Sequence, residues 1–476
     1  MLLLTGMLTV CVPGWLTADL KRSQQPNWYL GLGLVFFLIC AGVVWLAWRT
    51  DENCYRSRWR WLTLAGLVVL PNLGNIWLRT TWIAPGNAVP GSLFGRDGDV
   101  QLFYSYGHQF AAGFWPKNFQ GQYMEYPQFA LFLFLGGAIL AGNLDTFVWL
   151  FPSLILLFEL GAAFALFGIG LKQNQPRAAY IFAVLLATCP FLYGFGYTRF
   201  DIAPTALLLA GIYFFLPAPK TPRSDAAKLK RVLVRTELSS GGIVAGVLAK
   251  WLPAIAWPWL AMVYVRKRLW LQLVVFVEVA VGLTAITLLP FYLWNSTAFW
   301  YPYQYQGSRH LIGESFWFLV QNFFLDPAHA VPDKPWAEPT HIFLGNNTLL
   351  AAQIALTLLL FGLSGWRLGR VRDDSEWARW AGAGLVGVAV FTLANRVFSP
   401  QYIVLLVWVW AAALLLRPLG WKKTLVGSAA LIGASGANFL TFLLGAYPDG
   451  WVTASTMFFL IGFLLSGWLF YRLQAA

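Results

Sequence analysis

Long apolar runs alternate with short polar connections along nearly the whole chain. Runs at 28–48, 61–79, 145–171, 178–197, 202–217, 269–294, 348–366, 379–395, 399–416, 424–446 and 451–471 approach or exceed the ~20 residues a helix needs to cross a bilayer. In hydrocarbon every backbone amide must be satisfied within the segment, so runs of this kind predict helices rather than open strands. The pattern predicts an all-α integral membrane protein, a polytopic helical bundle of about 12 to 14 membrane segments. An N-terminal run at 3–18 lacks a basic flank and a small-residue cleavage site, and reads as a retained helix or interfacial segment rather than a signal peptide.

Composition agrees with the pattern: 58% of the residues are hydrophobic, above the roughly 45–50% of soluble domains. The net charge of +13 would point to nucleic acid in a soluble protein, but here most Lys and Arg fall in alternate connections, as membrane topology requires. Nucleic acid is therefore not an expected partner. Placing Arg49, Arg56, Arg58 and Arg60 inside puts the next connection outside. Two ambiguous segments are settled by the same rule. Residues 128–141 are apolar but short, and as an outer-face juxtamembrane helix they keep the basic connection 218–238 inside. The stretch Gly241 to Val265, broken by Pro253 and Pro258, fits two short legs of a hairpin, which places Arg266, Lys267 and Arg268 inside and Lys250 near the outer turn.

The expected organisation is a single polytopic domain over 1–476, with a first exoplasmic loop and its surface helix at 80–144 and a second large exoplasmic loop at 295–347. The expected location is a bacterial plasma membrane. Cys11, Cys40, Cys54 and Cys189 form no CxxC pair, so neither a disulfide framework nor a metal site is expected. No repeat of 20 to 50 residues is visible, which disfavours an inverted-repeat transporter. A lipid or sugar transporter or flippase without covalent chemistry is the alternative, and it predicts polar groups at the midplane.

The charges collect elsewhere. The stretch from Arg96 to Pro127, RDGDVQLFYSYGHQFAAGFWPKNFQGQYMEYP, reads as a long polar outer loop carrying Asp97, Asp99 and Glu125-Tyr126. Arg199 with Asp201, Arg309-His310 with Glu314, and Arg396 with Gln401-Tyr402 fall on the same side, joined by Lys250. Ionisable groups near hydrocarbon are expensive and usually face a cavity or a partner. Carboxylates can remove a hydroxyl proton, while Arg, Lys and His can hold an anionic group such as a phosphate. Sugar transfer from a lipid phosphate requires both. Several single residues also have simpler readings. Asp99 could pair with Arg96, Asp201 with Arg199 at a helix start, Lys250 could snorkel, and Glu314 could cap a helix near Ser315. Glu159 and Glu278, inside apolar runs, are expected to be protonated or hydrogen-bonded within the bundle.

GDVQLFYSYGHQFAAGFWP followed by MEYPQFAL resembles the first outer loop of GT-C glycosyltransferases, especially glycosyltransferase family 87, the polyprenyl-phosphate-mannose-dependent mannosyltransferases. RFDIAP, GVLAKWLP, RHLIGES and NRVFSPQY match further motifs in order, covering about residues 95 to 405. The resemblance implies a GT-C-type bundle with the site at the exoplasmic face. The donor would be a polyprenyl-phosphate hexose, mannose by family, and the acceptor a hydroxyl of a glycolipid or glycan, reached with inversion. Asp99 would be the catalytic base and Asp97 the second choice, because Tyr104 and Gly113 stand at the family's distances from Asp99. Arg199, Lys250, Arg309 and His310 would hold the donor's phosphate and sugar, and Glu125, Tyr126, Asp201, Glu314, Arg396, Gln401 and Tyr402 complete the substrate-binding set. The chain departs from the family where the second Pro of Glu-Tyr-Pro-Pro is Gln128, and where the usual polar element reads Pro116-Lys117-Asn118. A related enzyme moving another sugar, such as arabinofuranose, or attaching a glycan to protein, is a third reading. No cofactor and no metal is expected, and loss of activity in EDTA restored by a divalent ion would overturn the latter.

Overall fold

The computed structural model describes residues 49–82, 98–189, 191–192, 199–217, 225–322, 344–370, 375–443 and 448–474, with isolated residues between 38 and 45. The expected segment at 3–18, most of the run at 28–48, and Asp97 lie outside them. The described residues form α-helices, with 3-10 turns and one isolated β-bridge but no strand. The helices are α1 (Arg58–Trp82), α2 (Gly98–Ala111), α3 (Gln128–Ala141), α4 (Leu144–Lys172), α5 (Pro176–Ala187), α6 (Ile202–Phe215), α7 (Asp225–Ala249), α8 (Trp257–Arg266), α9 (Trp270–Trp294), α10 (Ser296–Ser308), α11 (Phe316–Asn322), α12 (Asn346–Leu368), α13 (Glu376–Leu393), α14 (Tyr402–Leu415), α15 (Trp421–Leu443) and α16 (Pro448–Gln474).

Six of these are long and apolar enough to cross a membrane: α4, the 229–249 part of α7, α9, α12, and nearly all of α15 and α16. Four more are apolar but shorter, namely α3, α5, α6 and α14. The protein is an all-helical integral membrane protein. Its passes alternate between two ends of the bundle. At one end Arg199, Asp201 and Lys250 come together; at the other, Arg266 and Lys267 meet Glu376, and Arg472 reaches the carbonyl of Pro418.

Several boundaries differ from those the hydropathy suggested. The polar stretch after Arg96 is helical over Gly98–Ala111, so Asp99 stands on a first helical turn rather than in a loop. The basic connection 218–238 is helical from Asp225, and the hairpin's first leg is a continuous 25-residue helix. Its start exposes Leu229, Val232, Val234 and Leu238 and buries Thr236, Ser239 and Ser240, while Arg235 is half-buried against the carbonyls that end α6, so the charge density of the sequence hides a helix. In the run at 178–197 the first helix ends at Ala187, Thr188 and Cys189 lie outside it, and Phe191 and Leu192 are helical again. Within the second large loop lie α10 and α11. Glu278 is exposed on α9 beside Val274, Val277 and Val281, not enclosed by the bundle. Glu159 is buried and within 3.5 Å of the Asn72 amide, which also donates to the carbonyl of Ala187.

Two close helix contacts place the site. A Cβ on Gly242 of α7 would lie 3.0 Å from the Leu207 carbonyl oxygen, and one on Gly211 of α6 only 2.9 Å from that of Ser239. Gly242-Ile-Val-Ala-Gly246 is thus a small-residue face on which α6 and α7 pack backbone to backbone. Their antiparallel pairing brings Asp201, at the start of one, to Lys250, at the end of the other. The 3-10 turn Leu252–Ala256 and α8 then return toward the opposite end, where Arg266 binds Glu376 and the carbonyl of Gly369. The second contact is at Gly107, where a Cβ would sit 2.3 Å from the Phe134 carbonyl oxygen; α2 therefore lies directly against α3.

Candidate active site

Asp99, Phe103 and Tyr106 recur at helical spacing and form one stripe of α2. Phe103 stacks on Phe134 with centroids 4.4 Å apart and meets Tyr126, Phe151 and Phe200 at 5.5 to 5.7 Å. This ring cluster joins α2, the Glu-Tyr-Pro segment, α3, α4 and the Arg199-Phe200-Asp201 segment. With Phe200 anchored in it, Arg199 turns to Asp99 and Asp201 to Lys250. The Arg199 guanidinium lies 2.7 Å from the Asp99 carboxylate and donates its Nε to Gln401 at 3.4 Å.

Asp201, 2% exposed, is in direct contact with the Lys250 ammonium. It pairs with neither Arg199 nor the amides of its own helix start, so the simpler reading of this residue does not describe it. Lys250 also lies 4.3 Å above the Tyr402 ring and 5.8 Å from that of Phe200. Its side chain points into the pair and the ring faces, not out to the interface.

Glu125 is carried on the return arm of a tight turn. Asn118 accepts the amides of Gln120 and Gln122, Gly121 adopts φ 79°, and Lys117 bridges to Tyr123. Gln109 of α2 clamps this turn, donating to the Lys117 carbonyl and accepting its amide, both at 2.9 Å. Burial pushes the Glu125 carboxyl above the usual carboxylate range and the nearby Asp99 charge adds to it, while Arg309 and a Tyr126 hydrogen bond pull it down. Burial likewise holds the Tyr126 hydroxyl well above its ordinary value.

The cations of the second large loop divide. Arg309 lies 5.7 Å from the Tyr305 ring and within electrostatic reach of Glu125. Arg396, 4% exposed, is committed to backbone: its guanidinium donates to the carbonyls of Arg309, Asn346, Gln306 and Gly307. Arg396 therefore fixes the loop that presents Arg309. His310 is exposed and its Nδ1 stands 3.0 Å from the Asn346 amide. Glu314 does not cap α11; Ser315 does, accepting the Phe318 amide. Glu314 is 1% exposed with no hydrogen-bond partner on either carboxyl oxygen, and burial raises it well above the carboxylate range.

The structure thus brings Asp99, Arg199, Gln401, Glu125, Tyr126 and Arg309 into one electrostatic neighbourhood, with Asp201, Lys250 and Tyr402 joined to it through Phe200. It also adds residues that the sequence did not mark. Tyr106, Tyr301 and Tyr305 all interact electrostatically with Glu125. In a chain with 18 Tyr, nothing in the sequence singled these out. Gln128, the departure from the family's second Pro, is buried, donating to the Phe299 carbonyl and accepting from Tyr303. Among the described residues no three His, Cys, Asp or Glu side chains gather as a metal site would require.

No protein-family model matches the chain, and no curated protein matches it. Solved structures resemble it at low identity. ArnT from Cupriavidus metallidurans bound to undecaprenyl phosphate is 15% identical over 88% of this chain and 78% of its own, with a TM-score of 0.48. The same protein in the apo state gives 17%, 87%, 77% and 0.40. The oligosaccharyltransferase of Archaeoglobus fulgidus, tethered with an acceptor peptide containing the NVT sequon, gives 16%, 85%, 56% and 0.39. These are similarities of partial arrangement, and none of them assigns the chain to a family.

Proposed function

We propose that the protein is a glycosyltransferase that moves a hexose, mannose in the first instance, from a polyprenyl-phosphate donor to a hydroxyl of a glycolipid or glycan acceptor at the exoplasmic membrane face. The observation that carries this reading is the 2.7 Å contact of Asp99 with Arg199 at the bundle end where Lys250 and Arg309 also converge. A carboxylate able to take a proton stands directly beside cations able to hold a phosphate. The ordered motifs resembling polyprenyl-phosphate-mannose enzymes agree with it, and the six long and four shorter apolar helices among the described residues are in keeping with 12 to 14 membrane segments.

In this mechanism the donor phosphate competes with Asp99 for the Arg199 guanidinium, leaving the carboxylate to the acceptor hydroxyl. Asp99 removes that hydroxyl's proton as the acceptor oxygen attacks the anomeric carbon from the face opposite the phosphate. The anomeric C–O bond breaks, its electron pair leaves on the lipid phosphate, and the configuration inverts. Arg199 and Arg309 stabilise the charge that develops on the phosphate. Lys250, with Asp201 and Tyr402 around it, extends the cationic wall. Arg396 acts through the position of Arg309.

The test is transfer from labelled polyprenyl-phosphate mannose to endogenous acceptors in membranes, comparing wild type with Asp99→Asn at equal expression. The expected loss is about a hundredfold or more, the scale for removing a general base. Full activity in the variant would move the base elsewhere, Asp97 first. No transfer by the wild type would reject this donor and acceptor class.

A further inference from the structure

The hydroxyl of Tyr106 has no hydrogen-bond partner although the side chain is 0% exposed. Buried phenols normally find one, because leaving the group dry costs on the order of 1–3 kcal/mol. The hydroxyl lies two helical turns from Asp99 on the same stripe of α2, within electrostatic reach of Glu125, Asp99, Tyr301 and Tyr305. Across from it, Tyr301 and Tyr305 are one turn apart on α10, with rings stacked at 5.8 Å and 22°. Tyr123 meets Tyr301 edge-on at 6.1 Å, and both α10 rings remain partly exposed.

We infer that Tyr106, Glu125, Tyr301 and Tyr305 form a subsite for an uncharged sugar ring of the acceptor, along the α2 stripe from Asp99 and bordered by Arg309 at the Tyr305 ring. The inference rests on the proposed transferase reading and names the substrate class for that site. A pyranose offers several hydroxyls and an apolar face; three phenols and a carboxyl match the first, and the stacked tyrosine pair matches the second. The Asp99 charge acts on Glu125 and Tyr106 here, so a phosphate or carboxylate on this ring would meet repulsion from it. Burial and the Asp99 charge hold Glu125 toward its neutral form, in which it can donate as well as accept.

Binding is read without turnover, by saturation-transfer NMR on the full chain in lipid nanodiscs. The probes are methyl α-D-mannopyranoside, methyl α-D-glucopyranoside and mannose 6-phosphate at millimolar concentration. The expected result is saturation of at least one neutral glycoside by the wild type, little for the phosphorylated sugar, and affinity about fivefold to tenfold lower in Tyr106→Phe, the scale of one hydrogen bond. Glu125→Gln, which keeps the shape and neutrality of the side chain, is expected to bind the neutral glycoside and still to disfavour the phosphorylated one. Three results would overturn the subsite: no saturation by either neutral glycoside in the wild type, preference for mannose 6-phosphate, or equal affinity in Tyr106→Phe at an unchanged thermal midpoint. Failure of the Asp99→Asn transfer assay would leave this binding intact, so the two readings fail separately.

Discussion

Both ends of the bundle are rich in cations, but the cations are used differently. At the end that holds Glu376, they close helix termini. Arg235 donates to the Phe214 and Leu216 carbonyls after α6, Lys172 to that of Leu216, Arg472 to that of Pro418, and Arg266 to that of Gly369. Each sits where last-turn carbonyls are otherwise unsatisfied and the helix dipole is negative. At the other end, Arg199, Lys250 and Arg309 face carboxylates and aromatic rings contributed by distant segments. The difference teaches how to read charge in a membrane bundle. A cation that reaches a helix-end carbonyl serves the fold even where, like Arg266, it also binds a carboxylate, whereas one held against a carboxylate and aromatic rings without such a carbonyl is open to exchange that partner for a ligand. Arg396 shows that position alone is not the criterion, since it lies at the second end but behaves like the first.

The contrast can be broken most forcefully at Lys250. Lys250→Met leaves the buried Asp201 carboxylate without its counter-ion and should destabilise the protein by about 3–5 kcal/mol. Adding Asp201→Asn should restore the thermal midpoint in detergent without restoring sugar transfer. If the double variant is fully active, the pair belongs with the structural cations. Next is Arg396→Lys, because an ammonium cannot reproduce a fork spanning four carbonyls. A loss of about 2–3 kcal/mol in stability is expected, with transfer per folded molecule falling less than in Arg309→Ala.

Arg266→Gln, at the opposite end, removes one of two cations on Glu376 and should cost about 1 kcal/mol while leaving transfer per folded molecule unchanged. For Glu314 the direction of the pH response is set by its raised folded-state value. Folding takes up a proton there, so its favourable contribution is complete below the unfolded carboxyl range and is lost as pH rises toward the folded value. Between about pH 5 and about pH 8 the wild-type midpoint should therefore decline more steeply than that of Glu314→Gln. An equal slope would show that Glu314 is ionised in place. Smallest of all, Arg56→Gln loses an exposed contact with Asn174 and should change stability by less than about 0.5 kcal/mol.

Much of this arrangement was legible in advance where hydropathy and length agree. The last five spans were placed within a few residues of α12 to α16, and the prolines at 253 and 258 correctly signalled a returning leg with Lys250 at its turn. Hydropathy failed where a helix is amphipathic rather than apolar. The start of α7 and the whole of α2 were read as loops because their charged or polar residues dominate a window average, although Leu229, Val232 and Thr236 recur at helical spacing. The convergence of acidic and basic clusters at one end could be foreseen from topology, but not who pairs with whom. That Asp201 meets Lys250, and Arg199 meets Asp99, follows from helix contacts over 49 and 100 residues of sequence. The Gly242 to Gly246 spacing was the one available signal for the first of these. Nothing comparable marked Tyr106, whose role depends on what surrounds its hydroxyl.

The backbone contact of α6 with α7 also bears on how the chain enters its membrane. Each helix delivers to the same end a charge that is expensive to leave bare beside hydrocarbon, and each is the other's neutralising partner. Between them the chain has only the short connection from Leu216 to Ser224. The economical unit of insertion is accordingly the two-helix hairpin, partitioning as a neutral pair. A chain lacking α7 would have to protonate Asp201 or leave its carboxylate uncompensated beside the bilayer, and Lys250 removes that cost.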